Sequence, residues 1–148
     1  MYLSTRTRYS VRALLYLARK GKNTPVSVSE IAREEGIPRV YLERLLNRLK
    51  KEGLVGSFRG RKGGYYLLHA PQEITLEKIL RATGEDFPFV DCLNDRRGCP
   101  RKSYCPAFNL WKTLQERFHK WLKELTLRDF LVFPEGSREI SHNYIFHI

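Results

Sequence analysis

The sequence predicts a mostly α-helical fold with a small β-hairpin wing: a winged helix-turn-helix followed by a long dimerisation helix. Three observations predict it. Two amphipathic helical stretches flank a glycine turn at Gly36. A glycine-rich, basic hairpin follows at 54–69. A long helix with a heptad seam comes after position 106.

The elements follow in order. A first helix is expected from about Arg8 to Arg19, with Val11, Leu14, Leu15 and Ala18 on one stripe and Gly21, Asn23 and Pro25 ending it. A second starts at Val28 or Ser29 under a cap from Ser27 or Ser29, turns Ile31 and Ala32 inward, and stops at Gly36. Pro38 suits the first position of a third helix, because its missing N–H would be unpaired there anyway. Leu42, Leu45, Leu46 and Leu49 give that helix one buried face, and Gly53 ends it. Residues 54–58 and 64–69 read as strands around the tip Arg59-Gly60-Arg61-Lys62-Gly63. A weaker helix covers Leu76 to Ala82. Residues 84–106 lose periodicity and hold all three cysteines. The last helix is expected from about Ala107 to Leu127. Trp111, Leu114, Phe118, Trp121 and Leu125 repeat along it at alternating spacings of three and four, and Phe108, Leu110 and Leu122 widen the seam. Such a face suits a homodimer contact; the alternative is packing on the protein's own core. The expected organisation is therefore 1–83 as a DNA-binding domain, 84–106 as a cysteine-bearing loop, 107–128 as a dimerisation helix, and 129–148 as a tail without an assigned role.

Charge is divided unevenly over the 148 residues. Residues 1–70 hold 15 Lys and Arg against 5 acidic residues, whereas 71–148 hold 12 against 11. An excess confined to the winged half points to a polyanionic partner, double-stranded DNA. No apolar run approaches a membrane span, Arg12 interrupts the first apolar stretch, and no signal-peptide cleavage site follows it, so a cytoplasmic location without membrane contact is expected.

The third helix has the size of a major-groove reader. Arg39, Val40, Tyr41, Glu43, Arg44 and Arg48 are its candidate DNA contacts. Arg39 and Arg44 suit phosphates or guanine. Glu43 can accept from a cytosine amino group, or can simply pair with Arg39 or Lys50. In the hairpin tip Arg59, Arg61 and Lys62 are candidates, and either arginine suits the narrow, strongly negative minor groove. Gly60-Arg61-Lys62-Gly63 also spells the loop of single-strand-binding KH modules, but that loop joins helices and this one joins strands. No nucleotide-binding glycine motif is present, and no catalytic constellation or small-molecule substrate is expected.

Cys92, Cys99 and Cys105 are too few and too odd in number for a disulfide scaffold, and lack the paired spacing of zinc modules. Three sulfurs on one irregular segment suit an iron–sulfur cluster, with Arg96, Arg97, Arg101 and Lys102 favouring thiolates. Thiol redox sensing, zinc and inert cysteines remain open alternatives.

Several stretches together resemble the family of winged-helix regulators that includes IscR, NsrR and RirA. They are LSTRTRYSVRALLYLA, YLERLLNRLKKEGLV, RGRKGGYYL, PQEITLEKIL and the triple cysteine before a long helix. The resemblance covers about residues 1–127. It implies a homodimeric transcriptional regulator, expected to be a repressor, on a pseudo-palindromic operator, with the long helices crossing at the interface. It implies a [2Fe-2S] or [4Fe-4S] cluster on Cys92, Cys99 and Cys105, although the first cysteine gap is one residue longer than in IscR. Glu43 and Arg59 match DNA-reading positions, while Val40 replaces a reading serine. Neither fourth ligand of the family is present: Phe108 stands for the histidine and Arg8 for the aspartate. His119, His142 and His147 remain candidates.

Overall fold

A computed structural model describes residues 3–85, 90–93 and 99–131. The described elements are α1 (Thr5–Lys20), α2 (Val28–Glu35), α3 (Arg39–Lys51), β1 (Val55–Phe58), β2 (Gly64–Leu67), α4 (Leu76–Thr83), α5 (Pro106–Glu124) and α6 (Leu127–Leu131). Two single 3₁₀ turns lie at Pro71–Glu73 and Asp91–Leu93.

Local chemistry sets the boundaries. α1 begins three residues before the expected Arg8, because the Ser4 hydroxyl accepts from the Thr7 N–H at 3.3 Å and caps the helix earlier. Ser27 caps α2 by accepting from Glu30 N–H at 3.1 Å, and Gly36 closes it in the left-handed region at φ +59°. Pro38 takes the N-cap of α3 rather than its first helical position, and its carbonyl accepts from Leu42 N–H at 2.9 Å. Leu42, Leu45, Leu46 and Leu49 are all buried, as their spacing predicts. β1 and β2 pair antiparallel, with Val55 opposite Leu67 and Phe58 opposite Gly64. They are shorter than the expected 54–58 and 64–69.

The core of the head is built from α1, α2, α3 and the hairpin, with Ile79 and Ala82 of α4 and Leu127 of α6 in the same cluster. Leu14, Leu17, Ile31, Leu46, Val55 and Leu67 are within 1% of complete burial. Val26, in the α1–α2 connection, exchanges two backbone hydrogen bonds of 2.9 and 2.8 Å with Tyr65 and acts as a third, one-residue strand. Gly64 makes this approach possible: a Cβ there would lie 2.3 Å from the Val26 carbonyl oxygen.

One element differs from expectation. The helix expected over 107–127 ends at Glu124, so the dimerisation segment 107–128 is not one helix. The Leu125 carbonyl accepts from Leu76 N–H and Leu127 N–H donates to the Ile74 carbonyl, both at 2.8 Å. Leu125 therefore caps α5 instead of extending its seam. Thr126 donates from its N–H and its hydroxyl to Asp129 Oδ2, each at 2.7 Å, which starts α6. Leu127 is fully buried in the core of the head. α6 thus occupies the start of the segment read as a tail; 132–148 lie outside the described residues.

Candidate nucleic-acid interface and cysteine segment

α3 presents its polar side away from the leucine face. Arg39, Val40 (65% exposed), Arg44 and Arg48 are exposed. Arg39 Nε donates to Glu43 Oε1 at 3.1 Å, so the pairing alternative for Glu43 is the one present without DNA. That exposed pair holds little energy and can exchange for a base edge. Tyr41 is half-buried, with its ring edge-on to Tyr9 of α1 at 6.0 Å, and so ties α3 to α1. The Arg48 guanidinium lies against Gly84 at the end of α4, 3.9 Å from the point a side chain there would occupy.

The wing is fixed to α3 by Tyr65. Its hydroxyl donates to Asn47 Oδ1 at 3.1 Å, and burial, with the nearby Glu43 charge adding to it, pushes its pKa above the ordinary 10.0. Lys50 Nζ donates to Ser57 Oγ at 2.7 Å, closing the same joint from the other strand. The tip turns through Gly60 at φ +112°, with Gly63 N–H donating to the Gly60 carbonyl at 2.9 Å. Arg59, Arg61 and Lys62 are exposed and make no ion pair among the described residues. The head therefore offers an exposed helix face and an unneutralised basic tip held in one rigid relation.

The sequence reading missed Phe58 and Tyr66, which stack on the outer face of the wing with centroids 4.7 Å apart and planes 18° from parallel. Alternation along the two strands carried the signal: Ser57 and Tyr65 face α3, so Phe58 and Tyr66 face away.

Cys92 lies in the Asp91–Leu93 turn, Cys99 opens a run of turns, and Cys105 takes the N-cap of α5. All three are free and partly exposed. As donors they fit an iron–sulfur group: partly accessible, unbonded, soft sulfurs on one segment. The structure does not gather them. Each is held by its own local turn, and among the described residues no three His, Cys, Asp or Glu side chains converge on a metal-sized point. Arg96 and Arg97 lie outside the described residues, as do His142 and His147. His119 lies far from Cys105 along α5. It sits fourteen residues along α5, about 21 Å at the helical rise, and its Nδ1 is 4.0 Å from Glu77 Oε1 on α4. Phe108 is covered by Lys102, whose Nζ is 5.4 Å from the ring centroid.

A three-helix head with a basic wing fixed beside its third helix, joined to a cysteine segment and a long apolar helix, defines a winged-helix DNA-binding regulator. The family model described as Rrf2, iron-dependent transcriptional regulator, matches residues 3–132. The chain is 35% identical over 145 residues to "Protein rrf2" of Nitratidesulfovibrio vulgaris, covering 95% of this chain and 97% of that one. Among solved structures it is similar to CymR, the global cysteine regulator of B. subtilis (TM-score 0.70, 32% identity, 88% and 96% of the two chains). It is also similar to T. potens IscR (TM-score 0.65, 31% identity, 88% and 86%). The chain belongs to the Rrf2 family of transcriptional regulators, and it is a DNA-binding regulator rather than an enzyme. No helix of the described residues is long and apolar enough to cross a membrane.

Proposed function

We propose that this regulator acts as a cytoplasmic homodimeric repressor on a pseudo-palindromic operator, and that its grip on DNA is set by chemistry at Cys92, Cys99 and Cys105. Arg39, Val40, Glu43 and Arg44 face the major groove in this reading, and Arg59, Arg61 and Lys62 face the adjacent backbone and minor groove. Tyr41 and Arg48 act mainly by holding α3. The three thiolates hold an iron–sulfur cluster, which supplies a centre sensitive to iron, oxidant or nitric oxide. The observation that carries the reading is the place of the sulfurs. Cys105 occupies the N-cap position of α5, its carbonyl accepting from Phe108 N–H at 3.2 Å, and the far end of that helix is tied to the head through Leu125 and Leu127. A change at the sulfur end thereby reaches α4 and α1, and DNA must prefer one of the two arrangements for regulation to follow.

A second reading, direct thiol oxidation without a cluster, is supported by three free, partly exposed sulfurs that do not converge on a metal-sized point, and by the likeness to a CymR of Staphylococcus aureus whose structure is of an oxidized form. Protein purified without oxygen separates the two. The cluster reading expects iron, acid-labile sulfide and visible absorbance, all lost in Cys99→Ser while the helical dimer remains. Colourless, iron-free protein that still changes DNA affinity on mild oxidation supports the thiol reading. Colourless protein indifferent to oxidant defeats both.

A further inference from the structure

We propose that the stacked Phe58–Tyr66 pair on the outer face of the wing is a sugar-binding surface for duplex DNA, resting on the deoxyribose rim of the minor groove beside the basic tip. This deepens the DNA-binding reading above and rests on it.

The placement argues for a contact. The inner face of the hairpin is spent on the head: Val55 and Leu67 are completely buried, and Tyr65 reaches Asn47. The outer face carries Phe58, 54% exposed, and Tyr66 stacked upon it. Phe58 is the last residue of β1, directly before Arg59 and the tip. A helix lying in the major groove on the inner side places the outer side against the neighbouring strand and the minor groove beyond it. The partner follows from the surroundings. A partly exposed aromatic face directly preceding a tip that carries exposed Arg59, Arg61 and Lys62 matches a surface that alternates apolar sugars with phosphates.

The geometry also fixes the mode. Two stacked rings are about 7 Å thick at van der Waals spacing, whereas the minor groove is about 6 Å wide. The pair therefore cannot enter the groove and lies on its rim, against sugar C–H groups. Gly56 sits opposite Tyr66, and a Cβ there would lie 2.4 Å from the Tyr66 ring. The missing side chain lets Tyr66 lie across the strand and back the Phe58 ring. Cross-strand aromatic packing also stabilises a hairpin, but β2 is already anchored by Val26 and Asn47.

The test uses the full-length protein and the duplex it enriches from a randomised library, with affinity measured by anisotropy between about 50 and 200 mM salt. F58A should bind about tenfold more weakly, the loss of roughly half a buried phenyl. Its salt slope should match that of the starting protein, because no charge is removed, whereas K62A should flatten the slope by about 0.9 per lost phosphate contact. F58L should restore most of the affinity. Thermal melts of each variant control for folding, and light scattering for assembly. F58A binding within twofold of the starting protein overturns the proposal. So does a flattened slope in F58A together with no further loss in the R59A background, which makes the pair a strut for Arg59. A change in oligomeric state on F58A overturns it in favour of a contact between copies. Failure of the starting protein to enrich any duplex defeats the DNA-binding reading itself, an outcome distinct from all of these.

Discussion

Glu85 closes the junction between the head and the cysteine segment. Its carboxylate accepts from the Ser4 N–H at 3.3 Å and from the Thr7 hydroxyl at 2.9 Å, and the buried Thr7 and Thr83 hydroxyls lie 2.8 Å apart. The Ser4 side chain, helped by Thr7, the Ser4 N–H and the Arg6 charge, holds the Glu85 carboxyl below its ordinary 4.5, against the burial that would raise it. A depressed folded pKa means that the ionised form supports folding fully above the unfolded value. That support is lost as pH falls through the lower, folded value. Glu85→Gln should lower the urea midpoint near neutrality, and the gap from the starting protein should close as pH drops below about 4.5. A gap that stays constant into acid would show that the carboxylate charge is not what stabilises the junction. Residue roles were only partly legible beforehand. Helical periodicity exposes Val40 and Arg44 without difficulty. The Arg39–Glu43 pair was open to two readings, because an i,i+4 ion pair and a free reader look identical in sequence. The Phe58–Tyr66 stack depends on strand register, which a linear reading underuses.

Among the elements, the leucine face of α3 and the hairpin were readable because each rests on a strong local period and a glycine punctuation. The end of α5 was not read correctly. Apolar spacing continued through Leu125, yet Thr126 and Asp129 form a capping pair that begins a new helix. That signal was present as Thr-Leu-Arg-Asp, but the heptad pattern outweighed it. The break has a purpose: it turns Leu127 into the core beside Ile74 and α1. Leu127→Ala should cost about 2–5 kcal/mol of stability in urea denaturation, whereas Leu110→Ala, on the exposed face of α5, should change it by less than about 0.5 kcal/mol in monomer. Equal effects would mean that α6 does not anchor the long helix.

The described residues form a head with a long helix touching it mainly at one end. Phe118 and Leu122 pack on Leu76 and Leu80, whereas Leu110, Leu114 and Trp121 remain 62%, 41% and 51% exposed. That much large apolar surface on a helix about 28 Å long is the surface the proposed homodimer would cover. Trp121→Glu should shift the protein from dimer to monomer in sedimentation and weaken operator binding at least tenfold, since one half-site replaces two. A dimer that survives the change would place the interface elsewhere. The heptad spacing reads as a pairing surface in the sequence; the proposed homodimer, and the angle at which its helices cross, depend on a second chain. The sensor role proposed for the cysteines depends in the same way on a group or an oxidation that the chain alone does not encode.

The Tyr65 joint has one last consequence. Because Tyr65 couples Asn47 of α3 to the wing strand and, through its backbone, to Val26, while Lys50 ties α3 to Ser57, the two parts proposed to face DNA move together. Inserting one base pair between the stretches they face would move them about 3.4 Å along the duplex axis and rotate them by roughly a tenth of a turn. Such a site would be refused by spacing alone, even with every correct letter in place.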